Sequence, residues 1–268
     1  MQMTDNTVLV TGGGTGIGRG LAESLHRLGN RVVIAGRRSE PLKATASANP
    51  GIEYLHLDQS DPADIQRVAA ELTDRYPDIN VVLNNAGIQL VEDLTGGDVA
   101  AAESMVAINL LGPIRLTAAL LPTLMAQPRA AILNVTSGLG FVPNHVNPTY
   151  SATKAALHSY TQSLRFQLCD TVIQVIEIIP PHVQTGLQGE RGYDPKAMPL
   201  DAYIAETMSL LQARPQATEM VVRRAQPLRF AERDGTYEQL YAAINPTCSP
   251  DHARSALLSQ MTYTVGGV

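Results

Sequence analysis

The chain has 268 residues, 44% of them apolar and 17% charged, and carries a formal net charge of −5 at neutral pH. That length suits one α/β domain or two small ones, and the apolar share supplies a sizeable core, which excludes a compositionally disordered chain. The mild acidity gives no footing for nucleic acid or an anionic membrane surface as a partner, and Arg223, Arg224, Arg229 and Arg233 read as a solvated helix face. Two cysteines, Cys169 and Cys248, without a C-x-x-C spacing fit a reducing compartment. No uninterrupted apolar run reaches the roughly 18 residues of a membrane span, and the first residues lead straight into a strand rather than a signal sequence. The expectation is a cytoplasmic, soluble protein.

In chain order, Thr7 to Val10 is a short apolar run of strand type that opens into T-G-G-G-T-G-I-G, Thr11 to Gly18, followed by an amphipathic helix to about Leu28. Strand, glycine turn and helix form the context of a phosphate-binding turn. Glycines let the backbone approach a pyrophosphate, and the helix N-terminus faces its charge. Gly12, Gly14, Thr15, Gly16, Ile17 and Gly18 are therefore candidate cofactor residues.

Arg31 to Gly36 reads as the second strand and ends in Arg37-Arg38. An acid about 20 positions beyond the glycines would bind a ribose 2′-hydroxyl; none stands there. Arg37 is placed to pair with a 2′-phosphate instead, which favours NADP(H) and leaves NAD(H) possible. Ile52 to Leu57 is a third strand followed by Asp58, a helix runs from Pro62 to about Tyr76, and Asn80 to Leu83 is a fourth strand closing in Asn84-Asn85-Ala86-Gly87. From about Asp98 to Met125 the pattern is one long helix, with Gly112 and Pro113 inside it predicting a kink near Asn109.

The apolar run Ala130 to Val135 predicts a fifth strand, with Ser137 at its end and Tyr150 and Lys154 where the next helix begins. Positions i and i+4 share a helix face, so the lysine cation stands beside the phenol and is expected to lower a pKa that starts near ~10. Thr171 to Ile179 reads as a sixth parallel strand, ending in Pro180-Pro181. Residues from about 186 to 200 form a long Gly-, Pro- and Tyr-containing loop of lid type. Asp201 to about Ala213 and Pro215 to about Phe230 read as helices, and Thr262 to Gly267 is either a seventh strand or a disordered end within a tail spanning 246–268.

Taken together, T-G-x-x-x-G-x-G, N-N-A-G, Asn109 and Ser137-Tyr150-x-x-x-Lys154, in that order, resemble the single-domain type of the short-chain dehydrogenase/reductase family. Pro180-Pro181 and the stretch from Leu228 to Asn245 are similar to its DltE-like subgroup. The resemblance covers about residues 5 to 245. It implies one α/β domain over residues 1–268, a Rossmann-type doubly wound parallel sheet with helices on both faces. It further implies a reversible reduction of a ketone or aldehyde to an alcohol by hydride transfer, with Tyr150 as acid/base, Ser137 holding the substrate oxygen, Lys154 on the nicotinamide ribose and Asn109 in a proton relay.

The family pattern places Asp58 near the adenine amino group, Asn85, Ala86 and Gly87 along the adenine ribose, and Pro180, Val183 and Thr185 by the nicotinamide carboxamide. Asn84 is expected to hydrogen-bond between central strands. Leu139, Phe141, His145, His182, Leu187 and Tyr193 are substrate-pocket candidates by position. No pair among the six histidines stands at a metal-ligand spacing with nearby acids, so no metal is expected. Dimers or tetramers through the helices carrying Asn109 and Tyr150 are implied, with Ala118, Ala119, Leu157, Leu164 and Leu168 on their outer side. Two alternatives stay open: a 3-oxoacyl reductase acting on a carrier-bound substrate, and a non-catalytic NADP(H)-binding sensor.

Overall fold

The computed structural model describes residues 1–246, so the candidate strand Thr262 to Gly267 and Cys248 lie outside the described residues. Seven strands pair in parallel in the order β3-β2-β1-β4-β5-β6-β7. In chain order the elements are β1 (Thr7–Thr11), α1 (Gly16–Arg27), β2 (Arg31–Gly36), α2 (Ser39–Ala48), β3 (Ile52–His56), α3 (Pro62–Arg75), β4 (Ile79–Asn84), α4 (Ala100–Val106), α5 (Gly112–Met125), β5 (Ala130–Val135), α6 (Pro148–Gln167), β6 (Ile173–Ile179), α7 (Leu200–Ala213), β7 (Glu219–Val221), α8 (Gln226–Arg229) and α9 (Tyr237–Ile244).

Alternate residues of each strand feed two cores. Val8, Val10, Val32 and Ile34 pack with Leu21 and Leu25 of α1, Leu42 of α2, and Tyr203, Ile204 and Leu211 of α7. Leu9, Val33, Val82 and Ile132 pack on the other face with Ile65 and Leu72 of α3, Leu116, Leu120 and Leu124 of α5, and Leu164 of α6. A strand buried on both sides needs apolar residues at every position, which is why these runs read as nearly continuous. The order in which strands are added reverses between β1 and β4, and the crevice at their carboxyl ends is where a doubly wound sheet binds ligands.

Three expectations require correction. The segment read as a helix from Pro215 to Phe230 holds the seventh strand instead, followed by a short turn and α8. The β-branched run around Met220 satisfies the open edge of β6: Glu177 N–H donates to the Thr218 carbonyl, and Met220 and Val222 are buried. Edge pairing overrides a helical pattern there. Second, Leu157, Leu164 and Leu168 do not lie on an outer face of α6; they are buried within the chain's own core, while Phe166 is 80% exposed.

Third, the expected kink in the long helix is a π-helical turn, Ala107–Leu111, that carries α4 into α5 without a break. The widened turn accommodates Pro113, whose ring removes a helical hydrogen bond. Gln59 Nε2 donates to the Ile108 carbonyl at 3.1 Å, and a Cβ on Gly112 would collide with the Gln59 side chain. By length and composition alone, the 26 residues Ala100–Met125 could cross a membrane; here Met105, Leu116, Leu120 and Leu124 are buried in the protein.

Candidate active site

The glycine turn is built by close backbone approach. Gly12 has φ +67°, and a Cβ there would press on Asn85 Nδ2 at 2.9 Å; one on Gly18 would run into the Gly12 carbonyl. Thr11 Oγ1 accepts the N–H groups of Asn85 and Ala86, each at 3.0 Å, and Asn85 Nδ2 donates to the Thr11 carbonyl at 2.9 Å. The turn after β1 and the N-N-A-G loop after β4 are thereby stitched together across the crevice.

Gly14 is buried under α2, and its carbonyl accepts the Thr45 hydroxyl. Thr15 stands in the N-cap position of α1 with no side-chain cap, and the first turn holds no acid. Ile17 packs toward the core. The N–H groups that start a helix carry partial positive charge and want an acceptor, so this cradle fits the diphosphate of a dinucleotide.

At the end of β2 Arg37 and Arg38 are both exposed. Arg38 Nη2 lies 3.5 Å from Thr15 Oγ1. Arg37 faces Asp58, whose carboxyl is held below its ordinary range first by the hydroxyl and N–H of Ser60 and to a lesser degree by Arg37. Two arginines therefore flank the glycine turn where sequence reasoning singled out one.

Ser137, Tyr150 and Lys154 come together at the carboxyl edge of the sheet, all buried. Ser137 follows the end of β5 in extended conformation, and its Oγ accepts the Leu139 N–H at 3.2 Å. Lys154 Nζ lies 5.7 Å from the Tyr150 ring centroid and donates to the Val135 carbonyl at 2.8 Å. Asn109, fully buried in the π-turn, pairs through its amide with both backbone groups of Ile88 at 2.9 Å and reaches Thr153 Oγ1 at 3.3 Å. It ties the N-N-A-G loop to α6. Gly87 lies beneath this contact: a Cβ there would sit 3.2 Å from Asn109 Oδ1 and 3.8 Å from Lys154 Nζ.

The titration of the pair departs from the sequence expectation. Burial pushes the Tyr150 phenol up to about 12, with the neighbouring Ser137 hydroxyl pulling weakly the other way. Burial brings Lys154 down to about 8, and the Glu177 carboxylate works against that fall. Desolvation disfavours the charged form of each, so it raises the acid and lowers the base. The helix spacing alone did not reveal this, because proximity in sequence carries no information about burial.

Among the softer candidates, the loop after β6 folds over the turn: Pro180 accepts the Gly138 N–H at 2.9 Å, Val183 is buried, and Thr185 sits against Gly16. Leu139 is half-buried beside Ser137. The Phe141 ring is engaged elsewhere, under the Arg229 guanidinium at 4.6 Å and edge-on to His158 at 4.7 Å. His145 is exposed and bonded through N and Nδ1 to Asn245 Oδ1. The exposed His182 uses its carbonyl to accept the Met198 N–H at 2.8 Å. That bond and its neighbour, Gln184 N–H to Met198 carbonyl, pin both ends of the lid-type loop. Leu187 and Tyr193 on that loop are 42% and 64% exposed.

Sequence reasoning missed a buried polar cluster. Glu177, fully buried in the middle of β6, accepts the Thr136 hydroxyl at 2.7 Å and meets His158 Nδ1 at 2.7 Å. Its register neighbour Glu219 is clasped by Arg229 through two bonds of 2.8 Å. Donor atoms of His158, Glu177 and Glu219 lie within 4.8 Å of one another, so a histidine does stand among acids, from three elements that no sequence spacing connects. The Arg229 guanidinium already serves Glu219 as its cation. An acid among the apolar residues from Val175 to Ile179 was the available signal.

Comparison with known proteins agrees with this fold. The short chain dehydrogenase family model matches residues 6–196. The uncharacterized oxidoreductase DltE of Bacillus subtilis (strain 168) is 39% identical over 251 residues, spanning 91% of this chain and 98% of that protein. A short-chain dehydrogenase from Sphingobium yanoikuyae in complex with NADPH superposes with a TM-score of 0.75 at 28% identity, over 91% of this chain and 98% of that one. A short chain dehydrogenase from Burkholderia cenocepacia J2315 in complex with NADP gives 0.77 at 26% identity, over 92% and 100%.

A doubly wound sheet with a glycine turn at its switch point defines a dinucleotide-binding oxidoreductase class. Within it, the chain belongs to the short-chain dehydrogenase family.

Proposed function

We propose that the protein is an NADP(H)-dependent carbonyl reductase that interconverts a ketone or aldehyde with its alcohol. The observation that carries this reading is the buried group Ser137, Tyr150 and Lys154 beside a glycine turn whose helix N-terminus has no side-chain cap. The NADPH- and NADP-bound relatives support the cofactor, as do Arg37 and Arg38 at the end of β2.

Nicotinamide, when bound, supplies the hydride in reduction and accepts it in oxidation. The chain's own residues manage the oxygen and its proton. Ser137 Oγ hydrogen-bonds the substrate oxygen and holds it as negative charge develops there. Tyr150, kept neutral by burial, donates its proton to that oxygen. The Lys154 ammonium stabilises the phenolate left behind and is assigned the nicotinamide ribose. Asn109 fixes the π-turn against Ile88 and Thr153, and is assigned the backbone position that reconnects Lys154 to solvent. Self-association through the outer sides of α5 and α6 is part of the reading, since Met125 and Phe166 are exposed there.

The test is Tyr150→Phe, assayed with NADPH on a panel of ketones. Turnover should drop by about 10²- to 10⁴-fold, the usual contribution of a positioned acid, while the NADPH dissociation constant stays within about threefold. Unchanged turnover would sink the reading.

A further inference from the structure

Glu177 is a fully buried carboxylate in a strand whose other inward positions are apolar, and the mechanism above makes no use of it. Burying a carboxylate is unfavourable unless it is paired and hydrogen-bonded. Its bonds come from the Thr136 hydroxyl on the β5 side and from His158 on α6. His158 lies one helical turn beyond Lys154, which lies one turn beyond Tyr150, so the three share a face of α6. The charged and titratable groups facing Glu177 are Lys154 and His158 from α6, Glu219 from β7 and Arg229 from α8.

The geometry of this cluster points to its remaining partner. Arg229 and Glu219 form a bidentate pair and cancel. Glu177 is tied on both sides of Lys154: Lys154, buried to 4% exposure, gives its own bond to the neutral Val135 carbonyl, the next residue Thr136 donates to Glu177, and His158, one turn further along α6, meets Glu177 at 2.7 Å. We propose that Glu177 is a positioning residue for the reaction: an internal counter-charge, held in place by Thr136 and His158, that keeps Lys154 an ammonium beside Tyr150. The proposal rests on the catalytic reading above. Removing the charge takes a buried counter-charge away from Lys154, which then loses its proton more readily. The direction agrees with the opposition of Glu177 to the desolvation of Lys154.

The chain has three lysines, Lys43, Lys154 and Lys196, so the amine can be observed directly. Protein labelled with ¹³C at lysine Cε is titrated by NMR, and Lys154→Arg identifies the resonance by its disappearance. In Glu177→Gln the Lys154 midpoint should fall by roughly one pH unit or more relative to wild type, a shift typical of losing a buried opposite charge. Glu177→Asp, which retains the charge, should restore most of it. The descending limb of kcat against pH should move acidward with the midpoint, the rate at the acid end being preserved.

An unmoved midpoint in folded Glu177→Gln overturns the proposal, as does a uniform loss of rate with an unchanged profile. If Glu177→Gln does not fold, Glu177→Met makes the same measurement; failure of both to fold makes Glu177 structural and also overturns it. The lysine titration needs no turnover. A shifted midpoint with no Tyr150-dependent activity therefore indicts the catalytic reading, and the reverse result indicts only the role of Glu177.

Discussion

A tyrosine and a lysine one helical turn apart would couple weakly in water; buried together they are governed by desolvation. The Tyr150 phenol near 12 is a stable proton carrier at neutral pH, and Lys154 near 8 is an ammonium only below that value. The sign for reduction follows: the charged lysine is present below about 8 and lost above it, so kcat should decline as pH rises through about 8. A pH–rate profile from 6 to 10 with a saturating ketone checks this. Arg37 gives a second prediction. Arg37→Ala should weaken NADPH binding by about tenfold or more, the loss of one charge-assisted bond to a phosphate, and change NADH binding by less. Nicotinamide fluorescence titration measures both. Equal losses for the two cofactors would place the Arg37 side chain away from the 2′ position.

At the scale of elements, function depends on how loops from separate strands are tied to α6. Glu92 accepts the Thr149 N–H at 2.8 Å and the Thr149 hydroxyl at 2.6 Å, serving as a cap supplied from the loop after β4. Asn147 Nδ2 donates to the Leu90 carbonyl, and Gln89 to Asn147 Oδ1, so the same loop is fastened at three points just before Tyr150. Glu92→Ala should destabilise the protein by about 0.5–2 kcal/mol, the range for loss of a helix cap, and lower kcat more than it raises the NADPH dissociation constant. Urea melts and steady-state kinetics test the two parts. None of these ties was readable in advance: Glu92 and Thr149 are distant in sequence, and a cap from another loop leaves no local pattern. The glycine turn was legible because its cause is local, since positive φ and close backbone approach both demand glycine.

For the molecule as a whole, burial of phenols sets the response to alkali. Tyr150 and Tyr76 are pushed up to about 12, and Tyr160 and Tyr203 are raised as well, by burial in every case and for Tyr76 also by its bond to Glu53. A raised folded-state pKa contributes stability that is complete below the unfolded value near 10 and lost as pH rises through the folded value. Lys154 acts oppositely, favouring the fold between about 8 and its unfolded value near 10.5. Stability should therefore fall steeply between about pH 10 and 12, and less steeply in Tyr76→Phe; denaturant midpoints across that range measure it.

By itself the sequence determined the order of the six strands through Ile179 and of the helices among them except α2 (Ser39–Ala48), the parallel sheet, the glycine turn, and Ser137, Tyr150 and Lys154 as a candidate group. Each is written in local periodicity or in residue types that only a special backbone requires. The Asn84 bond across the central strands, to Asn134 at 2.8 Å, was also foreseen. The tertiary structure alone decided that Glu219–Val221 is the seventh strand, because the edge of β6 supplies the partner. It also decided that the long helix widens into a π-turn contacted by Gln59, and that Phe141 turns to Arg229 and His158. Finally it gathered Glu177, His158, Glu219 and Arg229 into one cluster against the helix that carries Lys154. Burial and charge balance are properties of packed neighbours, and neighbours drawn from β6, α6, β7 and α8 meet only once the chain has folded.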